Sequence, residues 1–173
     1  MTETQIVVDA EYRWCLATCF LIVIHNFFLG FWTMFGPRSR YFTKDFLDQI
    51  NLEGGKKPAG LGYPDSGTGR YSDRLEYKDW VLLNAGMRVH QNSTETIVPA
   101  IIGIAVSGIF FPYISTGLAI GYFLTRLLYG YMYANLKAVE IPYILNIIFV
   151  IGSIGLAGYG CYKPLLESLK QIS

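Results

Sequence analysis

Charge is scarce in this chain, and neither sign predominates. In 173 residues, 14 Lys and Arg stand against 13 Asp and Glu. A protein that grips nucleic acid through its phosphates needs a basic excess, so that class is excluded as a first reading. Cysteine is scarce too. Cys15 and Cys19 lie one helical turn apart, Cys161 is remote, and all three fall inside apolar blocks. No disulfide framework and no zinc spacing is present, and the thiols read as small core- or lipid-facing groups. His25 and His90 are too scattered to found a metal cluster. The Gly-rich stretch GGKKPAGLGYPDSGTG lacks a Walker pattern and a flanking strand, which argues against nucleotide binding.

What the chain has instead is apolar length. Four blocks approach or exceed the ~20 residues that a spanning helix needs. They predict an all-α integral membrane protein, a bundle of four transmembrane helices in one domain. The expected spans are residues 14–35, 80–111, 114–133 and 141–162, with a long polar loop over 36–79. The first block is too long for a signal-peptide core and reads as a retained helix, interrupted by His25 and Asn26. Gly36-Pro37 is expected to end it. The loop after it holds a possible short amphipathic turn, FTKDFLDQI. A loop of about 40 residues without strong periodicity is unusual in a compact domain, so it reads as disordered or held by another chain. In the fourth block Gly152, Gly155 and Gly158 recur every third residue and predict a close helix contact. Beyond Tyr162 the chain reads as a short amphipathic tail.

The second block carries a polar stripe. Successive helical residues turn by about 100°, so Arg88, Asn92 and Glu95 fall within about 60° of one another. Asn84, Gln91 and Pro99 lie on or beside the stripe, and His90 faces elsewhere. From Trp80 to Phe111 a helix is about 48 Å long, more than the ~30 Å hydrocarbon core. The stripe therefore sits near the headgroup boundary, within reach of water. Arg126 lies deeper, in the third block, and demands a partner. Tyr122, Tyr129 and Tyr133 share its face, and Tyr131 points away. Nine Lys and Arg fall in the first and third loops, against three in the N-terminus, second loop and C-terminus together. That bias puts the long loop and the stripe on the cytosolic side, or the matrix side of a mitochondrial membrane. Asn92-Ser93-Thr94 matches a glycosylation acceptor, but inside a helix on that side it is not expected to be modified.

Arg88-x-His90-x-Asn92-x-x-Glu95 at the start of the second of four spans resembles the membrane-associated proteins in eicosanoid and glutathione metabolism, the MAPEG family. The nearest likeness is to the branch of type 3 microsomal glutathione transferases. It continues through FFPYISTGLAIGYFLTRLLYGYMY, where Arg126, Tyr129, Tyr131 and Tyr133 form an R-x-x-Y-x-Y-x-Y ladder. The likeness covers residues 80–162 well, the first helix in outline, and the long loop not at all.

The resemblance implies a homotrimer in the endoplasmic reticulum or a mitochondrial membrane. Glutathione, as co-substrate, would be held by Arg88, His90, Asn92, Glu95, Tyr129 and Tyr133. The second substrate would be a lipophilic electrophile or a lipid hydroperoxide, with Arg126 and Lys137 as candidate catalytic cations. Two departures stand out. Where catalytic relatives carry a thiolate-stabilising Arg, beyond the ladder, this chain has Glu140, and Thr96 replaces a family Tyr. The other reading is therefore a non-catalytic subunit of a larger membrane complex, joined to its partners through residues 38–79.

Overall fold

The computed structural model describes residues 9–52 and 60–172, and the described residues form helices and turns. Helix α1 spans Ala10–Tyr41, α2 Lys44–Leu52, α3 Tyr77–Phe110, α4 Pro112–Ala134 and α5 Glu140–Ile172, with short 3-10 turns at Gly60–Gly62 and Ser72–Arg74. Three of these are long and apolar enough to cross a bilayer: α1, α3 and α5 through Leu169. Helix α4 has 23 residues and carries Arg126 and five tyrosines. The chain is an integral membrane protein, as these helices and their exposed aromatic and aliphatic faces require.

Two expected helix ends move. Helix α1 does not stop at Gly36-Pro37 but runs on to Tyr41. Proline breaks a helix by its missing N–H and by its ring. Here it sits in the closing turns, where few bonds remain to lose. Its ring lies against Gly86 of α3, where an added Cβ would stand 2.5 Å from Pro37 Cγ. Arg38 and Arg40 follow at the negative end of the helix dipole. Helix α5 likewise passes Pro164 and takes in the tail to Ile172, a run of good helix formers.

The chain divides into two compact units. The first contains the described residues up to Ile24, Glu95–Leu128 and those from Glu140 on; the second contains His25–Thr94 and Tyr129–Val139. The first unit is cored by Cys15, Cys19 and Ile22 of α1, Ala100 and Ile104 of α3, Ala119 and Tyr122 of α4, and Val150 of α5. Its close helix contacts are not made by the expected glycine stripe of α5. Among the described residues nothing lies within 4 Å of a Cβ placed on Gly155 or Gly158. The tight approach is at Gly103, where a Cβ would meet Ser153 Oγ at 2.6 Å and the Ile154 nitrogen at 3.0 Å, and at Gly121, 2.4 Å from the Phe149 ring. A period of three slides around a 3.6-residue helix, so the stripe does not hold one face.

In the second unit, Phe42, Leu47, Ile50, Tyr71 and Leu83 form a separate core. The expected amphipathic turn is the full helix α2, opened by the Thr43 hydroxyl, which accepts from the Phe46 N–H at 3.4 Å.

The described part of the long loop is folded, which corrects the expectation of disorder. Its order comes from within. Arg38, 2% exposed, donates to the carbonyls of Leu61 (2.9 Å) and Asp65, and its guanidinium stacks 4.2 Å over the Tyr63 ring. The buried Asp65 carboxylate accepts from the N–H groups of Gly67 (2.9 Å), Tyr71 (2.9 Å) and Ser72 (2.8 Å) and from the Ser72 hydroxyl (2.9 Å). Residues 53–59 lie outside the described part.

Candidate functional site

Trp80, Asn84 and Arg88 succeed one another at four-residue steps along α3 and so share one face. That face lines a cleft of about 550 Å³ in the second unit, together with Val81, Ala85, Thr68, Tyr133, Leu136, Lys137 and Val139. The volume lies in the usual range for small-molecule sites. Arg88 and Lys137 are exposed and bring two cations, while among the described residues no carboxylate lines the cleft. The apolar share comes from Trp80, Val81, Ala85, Leu136 and Val139. Such a lining suits an anionic ligand with an uncharged middle.

Lys137 is placed by the end of α4. The Leu136 N–H donates to Tyr133 O at 3.0 Å and the Lys137 N–H to Met132 O at 2.9 Å, the paired bonds of a Schellman close. That close requires a left-handed residue, and Leu136 fills it at φ 54° where glycine is usual. The Lys137 ammonium lies 4.9 Å from the centre of the Tyr131 ring. Leu136→Gly is expected to raise stability by about 0.5–1 kcal/mol through relief of this strain. A thermal melt in detergent checks it, and a lowered midpoint would show that the Leu136 side chain, as a wall of the cleft, outweighs the backbone term.

The residues singled out from the sequence divide among several places. Arg88, Tyr133 and Lys137 meet in the cleft. Asn92 and Tyr129 sit in the same unit outside its lining. The Asn92 amide donates to the Tyr129 hydroxyl at 2.6 Å, and the Tyr129 ring lies 5.4 Å from that of Tyr133. This pair braces a tyrosine that lines the site. His90 packs into α1, where its Cε1 would stand 3.1 Å from a Cβ on Gly30, and its Nδ1 is buried without a hydrogen-bond partner. Its ring is thus committed within its own chain.

Glu95, Thr96 and Arg126 belong to the first unit. There the buried Arg126 donates to the Thr96 hydroxyl, which lies 3.1 Å from the Tyr122 hydroxyl. Its guanidinium is 5.9 Å from the Tyr122 ring centre. The threonine at a family tyrosine position thereby serves as acceptor for a buried cation. The expected tyrosine face also holds: Tyr122 and Tyr129 are buried, and Tyr131 is exposed. Glu140 is the first residue of α5, where a carboxylate meets the positive end of the helix dipole.

Sequence reasoning missed Trp80, Thr68, Leu136 and Val139 as site residues. Trp80 was legible, since it continues the Asn84–Arg88 stripe by one turn. Thr68, Leu136 and Val139 come from loops and carry no local signal.

The MAPEG family model matches residues 15–161, most of the chain. No curated protein matches it.

Proposed function

We propose, for a chain that belongs to the MAPEG family, that the cleft binds glutathione and presents its sulfur to a lipophilic second substrate. The family includes glutathione transferases and peroxidases alongside other members, and within it our reading is a transferase or peroxidase like the type 3 microsomal enzymes. The observation that carries the reading is the pairing of Arg88 and Lys137 in one cleft beside Tyr133. Glutathione has two carboxylates, an ammonium and a thiol. Arg88 takes one carboxylate through a bidentate pair, the geometry its planar fork favours. Asn84 and Tyr133 supply neutral polar contacts. Among the described lining residues no carboxylate meets the ammonium, which stays toward water. Lys137 is the cation for the sulfur.

A free thiol has a pKa near 8.5, and a neighbouring cation lowers it by favouring the thiolate. In the transferase step the thiolate sulfur forms a bond to the electrophilic carbon; in a substitution the leaving group departs into solvent with its bonding pair, and in an addition the displaced π pair moves onto the acceptor and takes a proton from water. The thiol proton has already passed to solvent. Lys137→Met is expected to move the thiolate titration of bound glutathione upward by about one pH unit. Ultraviolet thiolate absorbance against pH measures this, and an unchanged titration removes Lys137 from the chemistry.

One observation favours a second reading. Glu140 stands where catalytic relatives carry an Arg, and it serves the start of α5. On that reading the chain is a non-catalytic, structural subunit of a larger membrane assembly. Both readings place the protein in the endoplasmic reticulum or a mitochondrial membrane, as a homotrimer in the first case.

A further inference from the structure

We infer that the 65–72 loop is a preformed wall of the glutathione cleft, with Thr68 as a binding residue that reads the uncharged peptide part of the ligand. This rests on the reading of the cleft given above. The loop carries none of the motif residues on which the family resemblance rests, so its contribution comes from this chain's own contacts.

Three observations join. The first is rigidity. The Asp65 carboxylate gathers the N–H groups of Gly67, Tyr71 and Ser72 and the Ser72 hydroxyl, while the Arg38 guanidinium fixes the Asp65 and Leu61 carbonyls from the other side. A carboxylate that closes several backbone donors makes a loop of one shape. The second is attachment. The Gly67 carbonyl accepts from Trp80 Nε1 and from Asn84 Nδ2, each at 3.0 Å, and both donors line the cleft. Gly67 adopts φ 99°, and an added Cβ would stand 2.5 Å from Asn84 Oδ1, so the seam admits glycine alone. The third is placement. The residue after the seam is Thr68, exposed and in the lining with Arg88 and Lys137.

The chemistry of the lining assigns Thr68 its part. Arg88 answers one carboxylate and Lys137 the sulfur. A hydroxyl that both donates and accepts suits the amide groups between them. Asp65 and Gly67 touch no ligand and are positioning residues, which act by holding Thr68, Trp80 and Asn84 in register.

The test is equilibrium binding of glutathione to the full chain in detergent micelles, with three variants. Thr68→Val removes the hydroxyl from an exposed residue and leaves the fold intact. It is expected to raise Kd about fivefold, the worth of one hydrogen bond. Thr68→Ser is expected to stay within about twofold of the wild type, a rescue that a merely structural role does not predict. Gly67→Ala, which forces the loop off Asn84, is expected to raise Kd by about tenfold or more. Wild-type binding with an unchanged Thr68→Val value overturns the wall inference and leaves the cleft reading standing. Absence of wild-type binding overturns both.

Discussion

Replacement of Arg88 by alanine is expected to weaken glutathione binding by about 100-fold, the largest effect of any single change in the cleft. A charge-assisted bidentate pair is worth about 2–3 kcal/mol when a partner is removed, and every 1.4 kcal/mol is tenfold. Arg88 is exposed and lines the cleft beside Tyr133 and Asn84. Its loss leaves the fold undisturbed, so the deficit should appear in affinity and not in the thermal midpoint. Arg88→Lys is expected to recover part of the loss, since the charge returns without the planar fork. Equal binding by wild type and Arg88→Ala would move the ligand out of this cleft.

Replacement of Asp65 by alanine has the largest expected effect on structure. It strips the N–H groups of Gly67, Tyr71 and Ser72 of their common acceptor. Each buried donor left without a partner costs about 1–3 kcal/mol, so the loop should lose roughly 4 kcal/mol of local stability. Amide hydrogen exchange at residues 65–72 reads this directly. Protection there should collapse while the apolar helix interiors keep theirs, because the loss is local.

The same carboxylate gives a pH dependence. Burial pushes the Asp65 carboxyl up, but the hydrogen bonds from Ser72, Gly67 and Tyr71 outweigh it and hold the group below the usual carboxylate range. A carboxyl depressed on folding adds stability above its unfolded value of about 3.9, and that stability is lost as pH falls through the folded value. The loop should therefore be indifferent to pH around neutrality and loosen only in strong acid. A loop that loosens between about pH 5 and 7 would point to another titrating group.

The apolar runs of the sequence carried the helices, because a stretch long enough to span a bilayer leaves the backbone no alternative to helical hydrogen bonding. Where the reading failed, a local rule met a distant contact. Gly36-Pro37 reads as a stop, yet Pro37 is received by Gly86, about 50 residues on, and the helix continues. The 60–76 stretch reads as formless because its order depends on two charged residues. Arg38 and Asp65 are separated by 27 positions, and neither announces its partner. The glycine stripe of α5 is regular, yet Gly155 and Gly158 are exposed, while Gly103 and Gly121, without any pattern, take tight contacts.

The site was legible in proportion to its helical share. Arg88 and Asn84 came from the 3.6-residue period of α3, Tyr133 came with the family likeness, and Lys137 came as a stand-in for the cation that Glu140 displaces. Thr68 and Leu136 owe their place to loop geometry, which residue type alone does not encode. His90 and Asn92 belong to the same motif as Arg88, yet one packs on Gly30 and the other braces Tyr129. A sequence motif records proximity along the chain. Which of its members face a ligand is decided by the helices packed around it.

The central claim is that the cleft between Thr68, Arg88 and Lys137 holds glutathione. Calorimetric titration of the purified wild-type protein in mild detergent, with glutathione raised to roughly 10 mM, tests it most directly, since weaker binding than millimolar carries less than about 4 kcal/mol. Saturation with one molecule per cleft, abolished by Arg88→Ala, is the predicted result. Heat that rises linearly with added glutathione and never saturates, in wild type and variant alike, would contradict it.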